Sequence, residues 1–296
     1  MTEGDLTGRR VLVTGATGRI GSVLVRHLNE LGALVTTLSN QADPDLKADR
    51  VLVGDTRAEA DVANALEGVE YVVHLAAIAH RDAGTPYDVY STNVVSTFNV
   101  LAQAGAAGIR RAVVASSINA YGVPMNHHDV APAYFPLDER IPVDIDDWYS
   151  LSKQNDENTA RMACRHWGIN VVSLRFPHVH SPEALLGQSE WYRKDPVQGM
   201  REGWAYLDSR DAARVIELGL TRPVEGAHVV FAAASTTNAP YRTEELLEAF
   251  APRVPKLRRF VGREVPMDLT VARTLLGFQA SYELDLPTLN LPAGST

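Results

Sequence analysis

The chain has 296 residues, 45% hydrophobic and 22% charged, which is enough to bury a full core or two lobes. Its net charge of -8, with no dense Lys/Arg stripe, argues against a nucleic-acid or anionic-membrane surface. The lone cysteine, Cys164, excludes an intramolecular disulfide and a thiolate metal cluster, and reads as a packed core thiol. Met1 to Gly8 is polar and partly acidic, unlike a signal peptide. The most apolar stretch, Tyr71 to Ala79, is too short to span a bilayer. A cytoplasmic location is the expectation.

The run Val11-Leu12-Val13 predicts a buried parallel strand over 11–14. It enters Gly15-Ala16-Thr17-Gly18-Arg19-Ile20-Gly21 and a helix predicted over 20–31, ended by Gly32. Glycines at 15, 18 and 21 let the backbone turn tightly and approach a pyrophosphate, which the unpaired N–H groups of the helix start would bind. Strands follow at 34–38 and 51–53, the second leading through Gly54-Asp55 to a helix ending near Leu66. A strand is predicted at 71–75, a helix over 86–107 and a strand at 111–115. A long helix over 147–167 is ended by Gly168, and a strand follows at 171–175. The alternation predicts an α/β fold, a Rossmann-type doubly wound parallel sheet, over residues 1–182.

The pattern changes after Pro182. Residues 183–203 read as irregular, followed by a helix at 208–220, a strand at 228–232 and a helix at 243–250 with Thr243 as a possible cap. A Pro-rich stretch from Pro252 to Pro266 precedes the segment 268–276. Residues 183–296 read as a small substrate lobe, intertwined with the first domain through returns near 204–232 and resting on the carboxyl ends of the strands.

Tyr149 and Lys153 are four residues apart, on one face of the long predicted helix. A nearby ammonium favours phenolate over phenol, so such a tyrosine can take a proton from an alcohol. Ser116-Ser117 closes the strand before it, and Ser117 can hydrogen-bond a substrate oxygen in the same crevice. Taken singly, Tyr149 beside Lys153 reads as a surface pair and Ser117 as a turn residue.

Together these features resemble the extended short-chain dehydrogenase/reductase family, in its sugar epimerase/dehydratase branch. The matching pieces are Gly15 to Gly21, Gly54-Asp55, His74-Leu75-Ala76-Ala77, Asn93, Ser116-Ser117 with Tyr121-Gly122, Tyr149 to Lys153, and Leu174-Arg175-Phe176. The resemblance implies that Tyr149 is the catalytic acid/base, that Lys153 holds the nicotinamide ribose and tunes Tyr149, and that Ser117 orients the substrate oxygen. It implies that Asp55 and Thr56 meet the adenine, that Leu75, Ala76 and Ala77 line the middle of the cofactor, and that Asn93 orders the active-site helix. Gly15, Gly18, Arg19, Ile20, Gly21, Ser39 and Pro177 complete the expected cofactor contacts. It also motivates a homodimer through the helices at 86–107 and 147–167.

Departures narrow the reaction. Family dehydratases carry an acidic pair after the active-site hydroxyl. Here Ile118 and Asn119 stand there, so dehydration is disfavoured, and decarboxylation is doubtful because Asn119 replaces a glutamate. Ile118, Asn119 and His178 join Ser117 as expected substrate contacts, His178 being equally readable as pocket-wall packing. His178 and His180 make a poor metal site without a nearby carboxylate pattern, and no metal is expected. His127-His128 either borders the pocket or lies on a solvated loop. No confident match exists to the segments that grip a nucleoside diphosphate, which leaves Arg193, Lys194 and Arg201 as basic candidates. A smaller substrate is expected: a free sugar, sugar acid or polyol. The second strand ends in Leu38-Ser39-Asn40-Gln41, with no acid to repel a 2′-phosphate, and Arg19 is available to pair with one. This leans to NADP without excluding NAD.

The expectation is an NAD(P)-dependent oxidoreductase acting on a carbohydrate-like alcohol or carbonyl. A sugar epimerase using the same residues is the nearest alternative, and a non-catalytic NAD(P) sensor the next.

Overall fold

Val11 and Val13 are fully buried on one face of a parallel sheet, and Leu12 is fully buried on the other. This two-residue alternation with both faces apolar is what a central strand under two layers of helix requires. A computed structural model of the chain describes residues 4–291. The outermost residues of the two lobes as read from sequence, 1–3 and 292–296, lie outside the described residues.

The strands of the main sheet are β1 (Arg10–Thr14), β2 (Leu34–Ser39), β3 (Arg50–Val53), β4 (Tyr71–His74), β5 (Arg111–Ser117), β6 (Asn170–Phe176) and, after two short strands, β9 (Ala227–Phe231). All pair in parallel in the order β3-β2-β1-β4-β5-β6-β9. The order reverses between β1 and β4, so a crevice opens at the carboxyl ends of these two strands.

One face is covered by α1 (Arg19–Glu30) and α6 (Ser209–Thr221), which contribute Leu24, Leu28, Val215 and Ile216 to its core. The other face carries α2 (Glu59–Ala65), α3 (Pro86–Ala106) and α4 (Trp148–Trp167), with Val62, Leu101, Ala104 and Ala160 buried. α3 and α4 pack along one another. Gly105 makes this possible at one end, because a Cβ there would meet Trp167 side-chain atoms at 2.6 Å. α4 ends where Gly168 adopts φ 72, a left-handed C-cap that glycine takes without strain. Cys164 is partly buried on this helix.

A third core holds the C-terminal lobe together and draws on both halves of the chain. Ile118, Tyr121, Phe135 and Leu137, from the segment between β5 and α4, pack with Trp204, Phe231, Tyr241 and Leu246. Backbone bonds from Phe135 to Pro255 and from Leu137 to Pro266, both 2.9 Å, fasten that segment to the Pro-rich stretch.

The structure corrects the reading of 183–203 as irregular. Pro182–Lys194 is a helix, α5, and Pro196–Glu202 a 3-10 helix. Leu185, Ser189 and Tyr192 form the buried face of α5, so the helical period is present but its middle position is a serine. Two three-residue strands flank this segment, β7 (His178–His180) and β8 (Tyr206–Asp208), paired in parallel in a sheet of their own. α7 (Thr243–Phe250) forms as expected, but Arg242 is its cap position, and the Thr243 hydroxyl donates instead to the Glu264 carbonyl at 2.7 Å. A short π-helical turn at Ala272–Leu276 closes against the α1/α6 face. No helix among the described residues is long and apolar enough to cross a membrane.

Candidate active site

The turn after β1 is built to bring backbone close to backbone. Gly15 has φ +67, and a Cβ there would stand 2.7 Å from the Ala76 nitrogen. A Cβ on Gly21 would overlap the Gly15 carbonyl, and one on Gly18 would lie 3.1 Å from the same oxygen. Gly18 caps α1 without a side-chain bond, which leaves the first-turn N–H groups, including those of Ile20 and Gly21, to an external acceptor. A cradle that any Cβ would fill, opening onto a free helix start, fits a dinucleotide pyrophosphate.

Thr14 locks this turn to the strand beside it. Its hydroxyl accepts the N–H groups of Leu75 and Ala76, at 3.2 and 3.3 Å, and meets His74 Nδ1 at 2.8 Å. Because Thr14 Oγ1 already accepts twice, its own hydrogen goes to Nδ1, and His74 Nε2–H donates to Thr97 Oγ1 on α3 at 3.1 Å. Burial, with a smaller contribution from Lys153, pushes His74 down to about 3. Sequence reading placed His74 in a family motif but gave it no role. Its function is to join β1, β4 and α3 under the crevice as a neutral imidazole. Unfolding lets His74 take up a proton below its ordinary value near 6.5, whereas the folded chain refuses one until about 3. Stability from this group is therefore complete above roughly pH 6.5 and falls as the pH drops, by about 2 kcal/mol near pH 5. Denaturant unfolding at the two pH values should show this loss, and a His74→Asn variant should lack most of it.

Leu75, Ala76 and Ala77 remain partly exposed along the crevice floor, where a cofactor would run. Asn93 is fully buried and holds the loop beyond them: its side chain bonds Ile78 N and O at 2.8 and 3.1 Å and Ser152 Oγ at 3.0 Å. Ser152 in turn donates to the Tyr149 carbonyl at 2.7 Å. Asn93 thus ties α3 to the first turn of α4.

At the end of β2, Ser39 Oγ accepts the Thr17 N–H at 3.3 Å, and Gly54 N–H donates to the Ser39 carbonyl at 2.9 Å. Asp55 follows, half exposed, its carboxylate 2.6 Å from Arg57. That side-chain bond, outweighing a smaller burial effect, holds Asp55 below the usual carboxylate range. Thr56 is buried and donates to Ser96 at 2.8 Å, so its hydroxyl faces α3 rather than the crevice. Arg19 opens α1. Its guanidinium donates to the Val179 carbonyl on β7 at 3.1 Å.

Asp147 caps α4 by accepting the N–H groups of Tyr149 and Ser150, each at 2.9 Å. This fixes Tyr149 in the first turn, where only 6% of it remains exposed. Lys153 lies one turn on, its Nζ 6.0 Å from the centre of the Tyr149 ring. Ser117 ends β5, and the 3-10 turn that follows, Ile118–Tyr121, packs against α4. Ser117 Oγ accepts both the N–H and the side-chain amide of Asn119 at 3.1 Å. With its acceptor sites occupied, the hydroxyl keeps its own hydrogen to donate. Asn119 therefore orients Ser117. Ile118, 2% exposed, belongs to the core of the C-terminal lobe.

Beneath them, Glu157 of α4 takes the Arg175 guanidinium through two bonds of 2.8 and 3.0 Å, and also accepts Ser116 Oγ at 2.7 Å. Arg175 further lies over the Phe231 ring at 5.4 Å. This buried knot fixes the tyrosine helix against the ends of β5 and β6. Sequence reading had Arg175 within a motif but did not pair it with Glu157.

Pro177 is buried between β6 and β7. The half-buried His178 stacks on His180 with ring centroids 5.7 Å apart, and burial followed by the charge of Arg19 pushes it down to about 4. His178 is therefore a neutral imidazole near neutral pH. His127 and His128 both flank Asp146, at 3.4 and 3.6 Å, beside the Asp147 cap. Arg201 is committed to the carbonyls of Asn126 and His128 at 2.7 and 2.9 Å. Arg193 and Lys194 close α5 at the surface. Among the described residues no group of three or more His, Cys, Asp or Glu is placed to hold a metal ion.

The chain is 27% identical over 231 residues to a uronate dehydrogenase of Pseudomonas putida, covering 76% of each protein. It is 32% identical over 233 residues to a dTDP-4-dehydro-6-deoxy-D-allose reductase of Streptomyces bikiniensis, covering 74% of this chain and 68% of that one. Among solved structures it resembles a short-chain dehydrogenase/reductase superfamily protein from Agrobacterium tumefaciens with bound NAD. The TM-score is 0.70 at 23% identity, with 93% of each chain covered. The match to the NAD dependent epimerase/dehydratase family runs over residues 11–232, from β1 to just past β9, and the chain belongs to that family.

Proposed function

We propose that this protein is an NAD(P)-dependent oxidoreductase acting on a carbohydrate-like alcohol or carbonyl, with Tyr149 as acid/base. The observation that supports the reading is that Tyr149 and Lys153 stand on the first turns of α4, a helix that packs against β5, the strand Ser117 ends, and against the 3-10 turn after it. The glycine cradle opens at the carboxyl end of β1 in the same sheet. When bound, the nicotinamide supplies the hydride acceptor or donor. Gly15 to Gly21 would hold the pyrophosphate, and Leu75 to Ala77 would line its path. In the oxidative direction Tyr149 takes the hydroxyl proton of the substrate, and in the reductive direction it returns one. Lys153 stabilises the negative charge that builds on the phenol oxygen. Ser117, held by Asn119, donates to the substrate oxygen throughout.

Ile118 and Asn119 carry no titratable group, so no acid/base pair for expelling water follows Ser117. The uronate dehydrogenase and sugar reductase among the relatives support a sugar or sugar acid as substrate. For the cofactor, Ser39 rather than an acid closes β2, which accommodates NAD and NADP alike. The reading is tested by offering sugars, sugar acids and nucleotide sugars with each cofactor. A dehydrogenase produces a net gain at the reduced-nicotinamide absorbance band. Turnover with no net change identifies an epimerase instead. A second copy of the chain is proposed to dock on α3 and α4, where Tyr87, Val95, Phe98 and Leu151 stay exposed. Sedimentation at micromolar concentration should then give twice the monomer mass, and a monomer would remove that part.

A further inference from the structure

Asp156 is a buried carboxylate with no part in the mechanism above. It lies on α4 one turn beyond Lys153, with side-chain exposures of 1% and 5% for the two residues. Its Oδ2 is 3.1 Å from Lys153 Nζ, and Nζ also donates to the Ala115 carbonyl at 2.9 Å. Asp156 Oδ1 is buried, and Thr97 of α3 stands beside the carboxylate. An ammonium has three N–H donors. Two are used on Asp156 and the Ala115 carbonyl, which leaves one.

We propose that Asp156 is a positioning residue: its carboxylate anchors the Lys153 ammonium between α4 and the end of β5 and supplies the counter-charge that lets a buried lysine stay cationic beside Tyr149. This rests on the reading of Tyr149 and Lys153 as the working pair. A lysine removed from water loses its proton readily unless an opposite charge replaces the lost hydration. The nearby groups confirm the need. On α4, Tyr149 and Glu157 also face Lys153, but Glu157 is committed to Arg175 of β6 and to Ser116 of β5. From β4 comes His74, which is neutral, and from α3 the uncharged Thr97, adjoining both His74 and Asp156. β5 offers the Ala115 carbonyl alone. Asp156 is thus the one ion pair of Lys153 among the described residues. Burial opposes the charge on Lys153, yet Asp156 first, then Tyr149 and Glu157, together hold it above its ordinary value.

The chain has four lysines, Lys47, Lys153, Lys194 and Lys256, so selective labelling of lysine Cε with carbon-13 gives an NMR spectrum simple enough to follow one of them. A Lys153→Arg variant assigns the signal. In the wild-type chain the Lys153 resonance should keep its ammonium position through about pH 10. In Asp156→Asn its titration should fall by at least about one pH unit, and Asp156→Glu should restore most of the loss. An Asp156→Asn midpoint equal to the wild type overturns the proposal. So does wild-type Lys153 losing its proton well below pH 10, a result that needs no variant to fold. The titration reads the ion pair without turnover, so it fails or succeeds separately from the acid/base role of Tyr149, which only activity tests.

Discussion

Replacing Tyr149 with Phe should lower the rate of sugar-dependent NAD(P)+ reduction by about 10²- to 10⁴-fold, the range that loss of a positioned general acid/base produces. The expected loss lies in kcat, because the ring still fills its place in the first turn of α4 and only the proton-transferring oxygen is gone. The Asp147 cap bonds the backbone N–H groups of Tyr149 and Ser150, so the helix start should survive the change. The ring lies over no hydrogen-bonded knot of its own, so the thermal midpoint should move little. NAD(P)+ affinity, measured by calorimetry, should likewise be close to wild type, since the glycine cradle is untouched. Steady-state kinetics with a turned-over sugar check the first expectation. A Phe variant that retains more than about a tenth of the rate contradicts the assigned role.

The second large effect is on stability. Glu157→Gln should cost about 3–5 kcal/mol, because it strands the Arg175 guanidinium, which is 4% exposed in its side chain, without its counter-ion. The thermal midpoint should fall on the order of ten degrees. The bond from Ser116 Oγ to Glu157 also joins the neighbour of Ser117 to the tyrosine helix, so loosening it should reduce kcat in the fraction that stays folded. A double change, Glu157→Met with Arg175→Met, removes both charges and should be far less damaging than the single one, because an apolar pair of similar volume needs no compensation. Denaturant unfolding of the single and double variants checks this. A single variant that loses less than about 1 kcal/mol would show that the pair is dispensable.

The parts of this site that were legible in sequence are those that backbone geometry or helical spacing enforces. The strand-turn-helix over 11–31 announced itself because Gly15 and Gly21 stand where no side chain fits. The Tyr149/Lys153 pair announced itself because four residues make about one helical turn. Other features depend on contacts between distant segments and leave no periodic trace. Asp156 and Glu157 look like ordinary polar positions on a helix face until folding presses that face against β5 and β6. Nothing local reveals the Val179 carbonyl that the Arg19 guanidinium bonds. Likewise nothing local reveals that the Thr56 hydroxyl bonds Ser96 on α3. α5 was hidden because Ser189 interrupts the apolar face that Leu185 and Tyr192 define, and β7 and β8 are too short for a two-residue alternation to show.

The proposed reaction requires Tyr149, Lys153 and Ser117 to converge on a nicotinamide held by the glycine cradle. A crystal structure of the chain soaked with NAD+ tests it most directly. The pyrophosphate should lie over Gly15 to Gly21, and the nicotinamide ring should stand beside the Tyr149 hydroxyl with the ribose within reach of Lys153. A dinucleotide bound elsewhere, or a Tyr149 hydroxyl turned away from the ring into bulk water, would contradict it.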